Sequence, residues 1–141
     1  MRRNKLELYV HFVWATWDWH PWITDGISRR IYREIESEVR KLGCTVLAIG
    51  GTHDHVHLLV KIIATVTIAD IAKQAKGASS HFINEVLKPT EPFKWQGSYG
   101  AFTVSRWDVE SIIEYVTHQR QHHADQTLMP DYEDTYELID A

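Results

Sequence analysis

Two histidines separated by one residue stand at the start of an apolar segment. The segment reads His55-Val56-His57 and continues Leu-Leu-Val. Because side chains two apart on a strand share a face, His55 and His57 point the same way and Val56 points the other way. Two imidazoles held side by side on a strand can bind one metal ion. An isolated His-x-His is more often a solvated surface pair, but the apolar continuation indicates a core strand and favours the metal site.

A tyrosine and a glutamine lie one helical turn apart near the end of the last predicted helix. Tyr115 and Gln119 are four residues apart and therefore share one side of that helix. At about 100° per residue, both lie roughly 70–110° from the centre of the apolar stripe, which comprises Val109, Ile112, Ile113 and Val116. We therefore predict that Tyr115 lies off the core face of this helix and is not an ordinary core residue. The alternative is a boundary tyrosine that packs on a neighbouring element.

Other polar residues could extend such a site. His53 could share the strand face of His55 and His57, and three imidazoles would suit zinc or copper better than magnesium. The alternatives for His53 are a loop residue or a DNA contact. Lys73 and Lys76 on the second helix, with Lys88 beyond it, are candidate phosphate contacts, although solvated surface lysines are the commoner case.

Composition neither requires nor excludes a nucleic-acid partner. The net charge is −4, but six of the 19 acidic residues lie after position 124, which leaves 13 acidic against 15 basic residues in 1–124. Six Trp and six Tyr could serve core packing or stack unpaired bases. No apolar run is long enough to span a membrane, and no signal peptide is recognisable, so we expect a cytoplasmic protein. The single cysteine, Cys44, excludes an intramolecular disulfide and indicates a core position.

Hydrophobic periodicity predicts one domain over 1–124 and an acidic tail over 125–141. Alternation predicts a half-buried strand from Leu6 to Trp14. A helix over 25–42 follows and stops at Gly43, and strands Cys44–Ile49 and His55–Ile63 are joined by a Gly50-Gly51-Thr52 turn. A second helix begins with a Thr67/Asp70 capping box. It is followed by a strand Tyr99–Val104 and by a last helix that begins with a Ser105/Asp108 capping box. The order β-α-β-β-α-β-α predicts an α+β, ferredoxin-like split βαβ fold. Its antiparallel sheet has helices on one face and an added C-terminal helix that carries the tyrosine.

The chain resembles the small single-tyrosine transposases of the HUH class, which include insertion-sequence and REP-associated tyrosine transposases. The resemblance runs from Tyr9 to about Gln121 and depends on an ordered set of short motifs. These are Tyr9-Val10-His11-Phe12-Val13, Asp54-His55-Val56-His57-Leu58-Leu59, Trp95-Gln96, Tyr99-Gly100-Ala101-Phe102, and Ile113-Glu114-Tyr115-Val116 with Gln119.

The resemblance implies a function and a set of site residues. His55, His57 and Gln119 would be ligands of Mg²⁺ or Mn²⁺, and Tyr115 would be the nucleophile that forms a 5′-phosphotyrosine. The substrate would be hairpin-containing single-stranded DNA, and we predict that Lys73, Lys76, Trp95 and Gln96 contact it. The family works as homodimers, and no organic cofactor or membrane is involved.

Two other functions remain open at this point. One is a domesticated DNA-hairpin-binding protein or a REP-element-processing nuclease of the same fold. The other is a metal-dependent hydrolase in which Tyr115 is structural and His118 or His122 supplies the base.

Overall fold

The observed elements follow the predicted order. The computed structural model describes residues 4–119 and 121, so the predicted tail and His122 lie outside the described residues. The elements are β1 (Leu8–Ala15), α1 (Asp25–Lys41), β2 (Thr45–Gly51), β3 (His55–Ile62), α2 (Ile68–Phe82), β4 (Gly100–Val104) and α3 (Val109–Thr117). A short 3-10 turn (Trp17–Trp19) follows β1, and a π-helical turn (Ile83–Leu87) extends α2. No helix within 4–119 is long and apolar enough to cross a membrane.

The four strands form one antiparallel sheet in the order β2-β3-β1-β4. β2 lies parallel to β1 but is separated from it by β3, which is the split βαβ arrangement. The predicted ferredoxin-like α+β class is thereby confirmed, together with its C-terminal helix. β3 is a central strand, and its residues His55 and His57 lie opposite Ala15 and Val13 of β1.

Helices cover both faces of this sheet. α1 and α2 pack on the face that carries Phe12, Trp14 and Leu58, and they form the main core there with Ile35 and Ile71. The opposite face is covered by α3, in a second cluster that comprises Ala48, Leu59, Val104, Ile112 and Val116.

The cover on both faces overturns the prediction that β1 is half buried. His11 and Val13, on the face predicted to meet solvent, are fully buried, and the His11 ring lies 6.4 Å from the Tyr115 ring of α3. The strand also begins two residues later than predicted, since Leu6 and Leu8 at its start are exposed. Alternation along β1 could not reveal a helix that arrives from the far end of the chain.

The prediction that Gly50 and Gly51 form a turn with Thr52 is wrong. Both belong to β2, where Gly50 pairs with His57 and Gly51 with Val56. A Cβ built on Gly50 would lie 2.1 Å from the carbonyl oxygen of Val116. The glycine therefore does not make a turn; it lets the α3 backbone rest directly on the sheet.

One of the two predicted capping boxes is present. Thr67 Oγ1 accepts from the Asp70 amide at 3.0 Å, and the Thr67 amide donates to the Asp70 carboxylate at 3.4 Å. The Ser105/Asp108 box is wrong, because α3 begins at Val109 and its N-cap, Asp108, makes no side-chain capping bond. The Asp108 amide instead donates to the Ser105 carbonyl oxygen in a turn.

Candidate active site

β3 presents His55 and His57 towards α3 from the interior of the sheet. Their side chains alternate with Val56, as the strand period predicts. His55 is 3% exposed and His57 fully buried, and their ring centroids lie 5.0 Å apart. A buried imidazole pair on a central strand is not a solvated surface pair, which removes the principal alternative for this motif.

Neighbouring side chains hold the Nδ1 atom of each imidazole. His57 Nδ1 lies 2.8 Å from His11 Nε2, and His55 Nδ1 lies 2.8 Å from both Thr52 Oγ1 and Asp54 Oδ1. Such bonds fix the ring orientation and leave Nε2 as the nitrogen for a metal, which is the usual arrangement behind metal-binding histidines. Sequence reasoning assigned no role to Thr52 or His11, because only the β1–β3 pairing places His11 beside His57.

α3 and the residues that directly follow it bring Tyr115 and Gln119 to the same place, with the helix ending at Thr117 between them. The Tyr115 ring lies edge-on to the His57 ring, with centroids 5.8 Å apart and an interplanar angle of 89°. Gln119 Oε1 lies 3.3 Å from His55 Nε2, and its amide nitrogen donates to the Tyr115 carbonyl oxygen at 3.0 Å.

The prediction that Tyr115 lies off the core face of α3 is wrong. Tyr115 is fully buried, together with Ile112 and Val116, whereas Val109 and Ile113 are only partly buried. The helix face that meets the sheet is rotated towards Tyr115. The apolar residues of α3 could not by themselves locate the buried helix face, because this face packs partly on histidine side chains of the sheet.

The donor chemistry of this cluster fits a divalent metal through a mixed set of ligands. The donors are two imidazole nitrogens and the amide oxygen of Gln119, and both donor types bind first-row divalent ions. Among the described residues, no three His, Cys, Asp or Glu side chains are grouped to hold a metal. A metal here would therefore take its third protein donor from the glutamine.

His53 does not join the histidine pair. It precedes β3, and its Nε2 lies 3.4 Å from Asp25 Oδ1 in an exposed contact. The structure thus favours the loop interpretation of His53 over a third imidazole ligand.

The predicted DNA contacts are dispersed, and two of them connect parts of the fold. The Lys76 ammonium donates to the carbonyl oxygens of Gln96 at 2.7 Å and Ser98 at 3.1 Å. Burial lowers the pKa of Lys76 below its ordinary value of 10.5. Lys73, one turn earlier on α2, is exposed. Lys76 thus connects α2 to the loop before β4. Only Lys73, of these two lysines, has its charge exposed to solvent.

Trp95 lies in the main core and not on an accessible surface. It is 5% exposed, its ring meets Trp14 and Phe93 edge-on, and its indole N–H donates to Ser79 Oγ at 2.9 Å. The prediction of a DNA contact at Trp95 does not fit this position, because its ring faces are taken up by protein.

The geometry can be compared with known proteins. A family model described as transposase, IS200-like, matches residues 4–119. The chain belongs to the IS200-like transposase family. The matched range contains the histidine pair, Tyr115 and Gln119, and membership makes the chain a transposase, a DNA-cleaving class of enzyme.

Solved structures of two transposases share the fold. One is a protein from Deinococcus radiodurans R1 that is described as a transposase. It has a TM-score of 0.67 and 26% identity, and the alignment covers 82% of this chain and 95% of that one. The other is a REP-associated tyrosine transposase bound to a REP hairpin. It has a TM-score of 0.65 and 12% identity, with 87% of this chain and 73% of that one covered. Among curated proteins, no sequence match was found.

Proposed function

We propose that this transposase cleaves and rejoins hairpin-containing single-stranded DNA, with Tyr115 as nucleophile. The observation that carries the proposal is the meeting of two elements from distant parts of the chain. The Tyr115 ring lies 5.8 Å from the His57 ring, and Gln119 Oε1 lies 3.3 Å from His55 Nε2. The hairpin substrate is supported by the REP hairpin bound to a neighbour of the same fold.

The proposed reaction exchanges one phosphate ester for another. The Tyr115 phenol oxygen loses its proton and attacks the phosphorus, which forms a tyrosine–phosphate bond and breaks the bond to the 3′ oxygen. The products are a 5′-phosphotyrosine and a free 3′ hydroxyl. Attack by a second 3′ hydroxyl on the phosphotyrosine forms a new phosphodiester and releases Tyr115. The strands can be joined without added energy because the phosphate remained esterified throughout.

His55, His57 and Gln119 would hold Mg²⁺ or Mn²⁺ in this proposal. A bound divalent ion stabilises the negative charge that develops on the phosphate and orients it for in-line attack. The protein's own contribution is orientation: Thr52, Asp54 and His11 fix the two rings, and a hydrogen bond ties the Gln119 side chain to the Tyr115 carbonyl oxygen.

The decisive experiment is a covalent-adduct assay with a labelled single-stranded hairpin and Mn²⁺. We expect wild type to form a protein–DNA adduct and Tyr115→Phe to form none, since the phenylalanine lacks the attacking oxygen. Tyr9→Phe is the matched control, because Tyr9 lies on β1 beside Lys61 and away from the histidine pair. An adduct formed by Tyr115→Phe at the wild-type rate would refute the assignment of the nucleophile.

The same assay separates the alternatives. A REP-processing nuclease would form the adduct and release cut DNA without joining a second strand, and a pure hairpin-binding protein would form no adduct. A hydrolase would cleave without an adduct and would work with zinc alone. The histidine proposed as its base, His118, is exposed, with Nδ1 3.0 Å from the carbonyl oxygen of Glu114.

The proposal includes a homodimer acting in the cytoplasm. Sedimentation of the purified chain at several concentrations measures the assembly directly. A mixture of Tyr115→Phe and His57→Ala proteins then tests whether two subunits share a site, because activity returns only if one subunit supplies the tyrosine and its partner the histidines.

A further inference from the structure

The segment between β1 and α1 carries a small aromatic cavity. Its volume is about 230 Å³, and it is lined by Trp17, Asp18, His20, Trp22, Glu91, Pro92 and Lys94. Trp17 is 47% exposed, and the His20 and Trp22 rings lie 4.9 Å apart. None of these residues takes part in the chemistry proposed above.

This segment is held in one conformation. Thr16 is buried, its hydroxyl donates to the His20 carbonyl oxygen at 2.7 Å, and its own carbonyl oxygen accepts from the Trp19 amide at 3.1 Å. Asp18 and Trp19 both adopt left-handed backbone angles, with φ of 54° and 55°. Non-glycine residues adopt such angles at an energetic cost that the surrounding structure must offset, and these conformations concentrate at functional sites. The cavity is therefore formed before any ligand arrives, which lowers the entropic cost of binding.

The segment also reaches the candidate active site. The Trp19 ring lies 6.1 Å from the ring of His55, and the Ile23 amide donates to the carbonyl oxygen of His53, directly before β3. The segment that carries the cavity therefore borders the candidate active site, one or two residues from Trp19 along the chain.

The charges around the cavity suit a base better than a phosphate. Asp18 and Glu91 contribute two carboxylates, whereas the single cation, Lys94, lies over the Trp17 ring with Nζ 4.0 Å from its centroid. Carboxylates repel a phosphate but accept hydrogen bonds from the exocyclic amino group of a base. Exposed indoles provide a surface on which an unpaired base stacks.

We propose that this aromatic cavity binds one unpaired base next to the scissile phosphate, stacked on Trp17, with a preference for bases that carry an amino group. Cytosine, adenine and guanine meet that requirement and thymine does not. The inference rests on the proposed function, because it takes the DNA strand to lie at His55.

The test measures equilibrium binding of a fixed hairpin whose single-stranded flank is oligo(dA), oligo(dC), oligo(dT) or abasic. All proteins carry Tyr115→Phe so that cleavage does not intervene. We expect the abasic flank to bind about 5- to 150-fold more weakly than oligo(dC) or oligo(dA), which corresponds to the usual range of about 1–3 kcal/mol for base–aromatic stacking. Oligo(dT) should fall between them.

Trp17→Ala should remove these differences, so that all flanks bind like the abasic one. Trp107→Ala is the matched control, because Trp107 is also exposed, at 79%, and also lies beside a cation, with the Arg106 guanidinium 4.2 Å from its ring centroid. It should keep the wild-type ranking of flanks.

Two outcomes would overturn the inference. In the first, Trp17→Ala still discriminates between the flanks as wild type does, which would mean that the cavity takes no base. In the second, Trp17→Ala weakens every flank equally, the abasic one included, which indicates a structural role. Failure of the proposed chemistry is recognised separately, since adduct formation by Tyr115 and flank discrimination by Trp17 are measured in different assays.

Discussion

At the scale of single residues, the candidate site depends on which imidazole nitrogen each histidine presents. The Nδ1 atoms of His55 and His57 are engaged by Thr52, Asp54 and His11 at 2.8 Å. His11 is fully buried, and its Nε2 donates to or accepts from His57 Nδ1, depending on the tautomer. Because it contacts His57 through this bond, we assign His11 the role of positioning the His57 ring. The two histidines of β3 are thus oriented by partners from β1 and from the loop that precedes β3.

His11→Gln should weaken Mn²⁺ binding by about 10- to 100-fold, the usual effect of losing a residue that orients a metal ligand. Isothermal titration with Mn²⁺ measures this, and a thermal scan verifies that the variant is folded. His53→Ala is the control with no expected effect, because the His53 side chain is exposed and its ring lies beside Asp25, away from the histidine pair. Equal Mn²⁺ affinities for wild type and His11→Gln would contradict the positioning role.

At the scale of elements, the position of α3 is set by a contact between backbones. Gly50 of β2 lies directly under the Val116 carbonyl oxygen of α3, and no side chain fits between them. Because Tyr115 flanks Val116, any displacement of α3 moves the phenol away from His57.

Gly50→Ala should destabilise the protein by about 1–3 kcal/mol, the usual cost of forcing an added methyl group into a packed interior. It should also reduce adduct formation more than this instability explains. Gly77→Ala on α2 is the matched control: its Cβ would meet nothing within 4 Å, so a gain of about 0.4–1 kcal/mol is expected. Denaturant unfolding measures both variants. A Gly50→Ala protein of wild-type stability and activity would show that α3 is not held by this contact.

The packing of α1 on α2 includes a pH-dependent link. Glu38 accepts from Lys41 at 2.7 Å and from Gln74 of α2 at 2.6 Å, and these bonds, the one from Lys41 foremost, hold the pKa of Glu38 below its ordinary 4.5. The folded state therefore binds this proton less readily than the unfolded state. Its stabilising effect is present above about pH 4.5 and is lost as the pH falls through the lower pKa of the folded protein.

Glu38→Gln should lower the free energy of unfolding by about 1 kcal/mol at neutral pH, because it removes a charge-assisted hydrogen bond. The difference from wild type should shrink as the pH falls below about 4.5, the ordinary pKa of a glutamate. Glu36→Gln, which breaks an exposed pair with Arg40 on the same helix, should cost no more than about 0.5 kcal/mol. Urea unfolding over a series of pH values measures this difference in free energy of unfolding. If the difference between Glu38→Gln and wild type does not shrink on acidification, a charge effect is excluded.

At the scale of the whole molecule, a metal at the candidate site would join the sheet to its C-terminal helix. Mn²⁺ at a hundredfold excess over its dissociation constant should therefore raise the free energy of unfolding by about 2.7 kcal/mol. The melting temperature should rise in wild type and stay unchanged in His55→Ala. A rise of equal size in both proteins would place the bound ion elsewhere.

The sequence was sufficient for the elements whose signals are local. The period of α1, its stop at Gly43, the Thr67/Asp70 capping box and the shared face of His55 and His57 are all properties of neighbouring residues. Contacts between distant segments were not predictable in this way. The second buried face of β1, the place of Gly50 under α3 and the partnership of His11 with His57 depend on where α3 and β3 arrive.

The central place of β3 has a consequence for how the site opens. Its amides pair on both sides, with β1 and β2, so they should exchange with solvent deuterium only when the whole domain unfolds. α3 rests on one sheet face and should detach in a smaller, more frequent opening. The histidines thus belong to the most protected unit and Tyr115 to a less protected one. Tyr115 should therefore separate from the two histidines in an opening that leaves the sheet intact.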